Sequence, residues 1–243
     1  MSAQTRALQP EVALRQPVNF KLNRGLRQWA PFTRAICICG HQSADGVFPS
    51  ARMLARMEHA CNLIDDYDDN VLVIASGGLT RASNSGLTEA QGIDFYLRAR
   101  GFHGLFREEF ATESVGNVSL SFLAFLTLFE VPIVTFVTDS PHADRMNVFA
   151  RHILQGRIQA EISIAPWPLS PEEEIEEVKI EADGWKFVNR FLEEVPPGMP
   201  KLALKWISEN HRSNPYRGLD VEKVVAAMRG QVLDFNALLL KPS

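Results

Sequence analysis

Apolar positions in this chain follow two patterns, and the two take turns along its length. Short unbroken runs rich in β-branched residues read as strands buried on both faces; positions spaced three and four apart read as helices with one buried side. The clearest run, Val71-Leu-Val-Ile-Ala75, leads straight into Ser76-Gly77-Gly78, where glycine lets the backbone turn sharply. Further strands are predicted over 35–39, 104–108, 132–137 and 158–164. A helix starting near Ser50 would bury Met53, Leu54, Met57, Ala60, Cys61 and Ile64. Another over 89–100 has Thr88 to cap it and Gly101 to stop it. A third, over 114–130, is apolar on more than one side, and a fourth carries Pro141 in its first turn.

Strands separated by helices of this length imply right-handed crossovers. The expected fold is α/β, a Rossmann-like three-layer sandwich with a mostly parallel sheet of about five strands. Before it, residues 1–33 read as an arm with one short helix over 22–29. Beyond the prolines at 166, 168 and 171 the character changes, with an acidic helix start over 172–177 and helical patterns over 184–194, 201–210 and 221–228. Residues 34–165 are thus the Rossmann-like domain, and 166–243 a helical extension packed on it.

Composition narrows the function. The chain of 243 residues is 46% apolar and 22% charged with a net charge of −4, and it has no basic block to track a phosphate backbone, so nucleic acid is not an expected partner. No window approaches the roughly 20 apolar residues of a membrane span. Cys37, Cys39 and Cys61 fall on apolar faces and read as buried free thiols in a reducing compartment. A cytoplasmic protein without a membrane partner is expected, with a homodimer as one possible assembly. Asp65 to Asp69 read as turn formers, and no ligand spacing supports a metal, although His41, Asp45, Asp139 and His142 could meet if their loops do.

Candidate chemistry gathers where strands end. Gly40 and His41 follow the first strand, Ser76 to Gly78 the second and Glu108 the third; Thr138 and Asp139 follow the fourth, with His142 and Arg145 a turn later. Parallel topology brings such ends to one edge, so a shared cleft is expected there. Backbone N–H groups at Gly77 and Gly78, and the helix start at Pro141, would favour an anion, to which Arg145 adds a bidentate contact. Each also has a plainer reading: a tight turn, a satisfied histidine, or a surface pair of Arg145 with Asp144.

These residues, in this order, resemble the YdcF-like family, a domain of unknown function shared by the bacterial SanA and ElyC proteins. The likeness covers about 35–155 and rests on Gly40, Arg56, Ser76-Gly77-Gly78, Glu89-Ala90, Glu108, Ser114-Val-Gly-Asn117, Val137-Thr138, His142 and Arg145. It implies a pocket at these positions, and a member of the family binds S-adenosylmethionine. Two departures stand out: the family's threonine is Ser114, and its glutamate is Gly116, which loses a carboxylate.

The leading expectation is an enzyme acting on a phosphorylated or nucleotide-like small molecule. Gly40, His41, Arg56, Ser76, Gly77, Gly78, Ser114, Asn117, Thr138, Asp139 and Arg145 would bind it, and His142 with Glu108 or Glu89 would supply acid–base function. Alternatives are a non-catalytic sensor of S-adenosylmethionine or a nucleotide, and a S-adenosylmethionine-using enzyme of specialised metabolism.

Overall fold

Five strands form one all-parallel sheet: β1 (Arg34–Cys39), β2 (Val71–Ser76), β3 (Leu105–Glu108), β4 (Ile133–Asp139) and β5 (Gln159–Ala165), in the order β3-β2-β1-β4-β5. The computed structural model describes residues 32–41, 49–67, 70–79, 86–102, 105–211, 216 and 218–239. The expected arm with its helix over 22–29, Asp45, Asp68, Asp69 and most of the loop over 79–87 lie outside the described residues.

Period-two alternation sends neighbouring strand residues to opposite faces. Ile36, Ile38, Val73 and Ala75 pack under α1 (Ala51–Asp66) and α2 (Glu89–Ala99). Ala35, Cys37, Leu72 and Ile74 face α3 (Ser114–Ser121) and α4 (Ser140–Ile153). That is the expected three-layer Rossmann-like arrangement. All three cysteines are buried thiols outside any disulfide. No described helix is long and apolar enough to cross a membrane.

Local signals explain the helix starts. Ser50 accepts from the Met53 amide at α1, and Thr88 forms a reciprocal capping box with Gln91 at α2. Gly101 takes the positive φ of 87° that ends α2.

Three helices differ from expectation. The run over 114–130 does not stay α-helical: α3 passes into a π-helical turn at Phe122–Leu126, every residue of which is buried. The widened turn presents carbonyls of Leu123 and Ala124 to the Arg229 guanidinium. The acidic start and the pattern over 184–194 are one helix, α5 (Pro171–Glu194), capped by Ser170 with Pro171 in its first turn, and Gly184 lies inside it. After α6 (Pro200–Asn210), the last helix, α7 (Val221–Leu239), is longer than its apolar pattern suggests.

The C-terminal helices share the core of the α3–α4 face, where Val188, Phe191, Leu204, Trp206 and Met228 are buried. From α7, the Gln231 side-chain amide bonds both backbone groups of Arg107 on β3, at 3.0 and 2.8 Å. It satisfies an outer strand much as a further strand would.

Candidate functional site

Sheet order reverses between β1 and β4, and a cleft of about 770 Å³ opens at the carboxyl ends of the strands there, a volume in the range of small-molecule sites. Of the residues singled out from sequence, Gly40, His41, Arg56, Glu89, Ser114, Asn117, Thr138, His142 and Arg145 line it. Ser76, Gly77, Gly78, Glu108 and Asp139 do not.

The five absences have physical causes. The Gly77 amide donates to the Glu108 carbonyl at 2.9 Å and the Gly78 amide to the Ala111 carbonyl, while the two glycine carbonyls accept from Ala90 and Glu89. The Gly-Gly turn therefore welds β2 to α2 and offers no amide to an anion. A Cβ at Gly77 would stand 2.6 Å from Glu89 Oε2, and one at Gly40 would stand 2.1 Å from it. Close approach of that carboxyl is what these glycines permit.

Asp139 is fully buried between two arginines. Arg52 donates to it at 2.7 and 3.2 Å and Arg56 at 2.6 and 2.9 Å. Burial works to raise its pKa, but Arg56 and Arg52 outweigh it and hold the carboxylate at about 2. Arg56 is itself only 2% exposed and spends its other nitrogen on the Cys39 and Gly40 carbonyls. Arg52 reaches on to Glu177 of α5. This cluster fastens α1, β4 and α5 together.

Glu108 lies behind the cleft. Its Oε1 accepts from the Phe110 and Ala111 amides and its Oε2 from the Ser76 hydroxyl at 2.6 Å. Burial raises it to about 7 against those bonds. Ser76 also stands 3.0 Å from the Asn117 side-chain oxygen, so these two residues link Glu108 to the cleft wall.

Inside the cleft, Glu89 at the start of α2 is 6% exposed, and burial raises it to about 7, opposed by nearby Arg56 and reinforced by Glu108. Its Oε1 is buried and has no hydrogen-bond partner among the described residues. His41 bonds Ser50 through Nδ1 and stacks 6.2 Å from His142; burial first, then Arg56 and Arg52, lower it to about 3, so it is neutral. Arg145 lies 3.0 Å from His142 Nδ1. A guanidinium only donates, so that nitrogen accepts and, in the neutral ring, the proton sits on Nε2. The plainer reading of Arg145, a surface pair with Asp144, gives way to this contact with His142 in the cleft.

Sequence reasoning missed two groups. Glu113 lines the cleft one residue before the Ser114 segment and caps α3, accepting from the Val115 and Gly116 amides at 2.6 Å and from the Tyr216 hydroxyl at 2.9 Å. A Cβ at Gly116 would meet both Glu113 Oε1 and the Tyr216 hydroxyl. A carboxylate thus occupies the space beside Gly116, held by a neighbouring residue, and Arg145 is close enough to act on it. The second missed group is the outer wall from α5 and α6: Asp183, Gly184, Lys186, Phe187, Arg190, Asn210 and His211. Gly184 was its signal, since a Cβ there would stand 2.8 Å from an Arg145 guanidinium nitrogen.

Among the described residues no cluster of three or more His, Cys, Asp or Glu side chains could hold a metal ion. No protein-family model, curated protein or solved structure matches the chain.

Proposed function

We propose that this protein is an enzyme acting on a phosphorylated or nucleotide-like small molecule at the carboxyl edge of the sheet, with Glu89 moving the proton and Arg145 holding the anion. The observation that carries this reading is the Glu89 carboxyl, buried in the cleft wall with an unpartnered oxygen and raised to about 7. A carboxyl poised near neutral pH both gives and takes a proton readily. His142, with its proton on Nε2, serves as a donor to the bound anion and fixes the Arg145 guanidinium. Glu108 acts on Glu89 through its charge, and Gly77 and Gly78 take no part in binding phosphate.

Turnover of a panel of phosphate esters and nucleotides by the wild type and by Glu89→Ala tests it. Loss of about a hundredfold or more in the variant is expected; equal rates in the two proteins overturn it.

The resemblance to the YdcF-like family supports a second reading, a non-catalytic sensor of S-adenosylmethionine or a nucleotide. What favours it is the outer wall, through which a ligand would touch the sheet domain and the C-terminal helices at once. The ribose hydroxyls of S-adenosylmethionine are donors that suit an unpartnered buried carboxyl. Tight binding with no product on long incubation supports the sensor, and any turnover removes it.

A further inference from the structure

Glu89 is wedged as well as buried. Its Oε2 and Cβ press against Gly40 and Gly77, where any side chain would collide with them. The amides flanking it are spent elsewhere: Gly40 donates to the Ser76 carbonyl at 2.7 Å and Gly77 to the Glu108 carbonyl. The nearby Arg56 is equally committed, to Asp139 and to the carbonyls of Cys39 and Gly40. His41 Nδ1 is engaged with Ser50. A buried oxygen left without a donor is costly. These neighbours leave that donor to be supplied from within the cleft.

The same cleft carries Arg145, laid against the bare backbone of Gly184 and braced by His142. With Arg56 already acting on Glu89 as a positive charge, a neutral hydroxyl suits Oε1 better than an ammonium group.

We propose that the ligand is a hydroxyl-bearing phosphate, its hydroxyl donating to Glu89 Oε1 and its phosphate meeting Arg145. This rests on the anion-binding reading above and names the second recognition point. A free sugar phosphate and the ribose phosphate of a nucleotide share this chemistry.

Isothermal titration of the full chain with inorganic phosphate, ribose 5-phosphate and adenosine 5′-monophosphate tests it, on the wild type, Glu89→Ala and Arg145→Ala. At least one hydroxyl-bearing ligand should bind the wild type about tenfold or more tightly than phosphate, as a hydrogen bond to a charged group allows. Glu89→Ala should lose that preference while still binding phosphate, and Arg145→Ala should weaken all three. Binding of only one of the two organic ligands names the source. Should the alanine variant not fold, Glu89→Gln, which keeps the volume, must reduce the preference at least about threefold, because it removes the charge assistance. A preference left intact by substitution at Glu89 overturns the hydroxyl contact and spares the anion site; no binding of any ligand to the wild type overturns both.

Discussion

Two carboxyl groups at the strand ends were solved by the fold in opposite ways. Asp139, closing β4, is fully buried and receives four hydrogen bonds from two arginines. Glu89, opening α2, is almost as deeply buried and has an oxygen with no donor among the described residues. Similar burial therefore yields a carboxylate held at about 2 in one place and a carboxyl raised to about 7 in the other. The difference lies in whether charge was brought in to meet the acid. A matched buried acid builds structure, while an unmatched one is kept at some cost and is the more informative about function.

Breaking the matched site should have the largest effect. Asp139→Asn leaves Arg52 and Arg56 without their shared counter-charge, and a loss of about 3–5 kcal/mol is expected in chemical denaturation. A change below about 1 kcal/mol would mean that Glu177 alone suffices for the cluster.

The unmatched site should show itself in pH dependence, with the opposite sign. Glu89 binds its proton more tightly folded than unfolded, so its contribution is full below 4.5 and is lost as pH rises through about 7. That amounts to about 3 kcal/mol. Glu89→Gln should therefore melt above the wild type at pH 8, with the gap closing by pH 4. Asp139 behaves inversely, stabilising fully above 3.8 and failing as pH falls through about 2. A pH-independent gap between wild type and Glu89→Gln would remove the carboxyl's unusual ionisation.

The smallest change sharpens the comparison by moving Glu89 without altering it. Gly40→Ala should force the Glu89 carboxyl away at a cost of about 1–3 kcal/mol, seen as a lower melting temperature. In the double variant with Glu89→Gly, which removes both the carboxyl and the Cβ that a side chain at position 40 would meet, that penalty should shrink. Simple additivity would place the strain elsewhere.

Much of this was legible in the chain because strand and helix periodicities are set by burial on each face. Unbroken apolar runs at 35–39 and 71–75, with caps at Ser50 and Thr88, placed the sheet and its helices, and parallel topology put the cleft at the strand ends. Other features depend on partners distant in sequence. Gly77-Gly78 looks the same whether its amides face a phosphate or the strand beside it. Arg56 reads as a ligand-binding residue until Asp139, 83 positions away, is seen to claim its guanidinium. Gly184 looks like a helix end because the reason for tolerating it, the Arg145 side chain, comes from another helix. Glu113 escaped notice because a cap is recognised by the amides it accepts from, and those bonds are not visible in the sequence.

The bond between Gln231 and the backbone of Arg107 also has a temporal side. The two residues are 124 positions apart, so a ribosome working at about 5–20 residues per second makes the second roughly 6–25 s after the first. Through that interval the outer strand is already synthesised while the side chain that shields it does not yet exist. A nascent chain stalled before residue 231 would present an open strand to its neighbours on the same message, and the last helix is in that sense the lock on a sheet completed long before it.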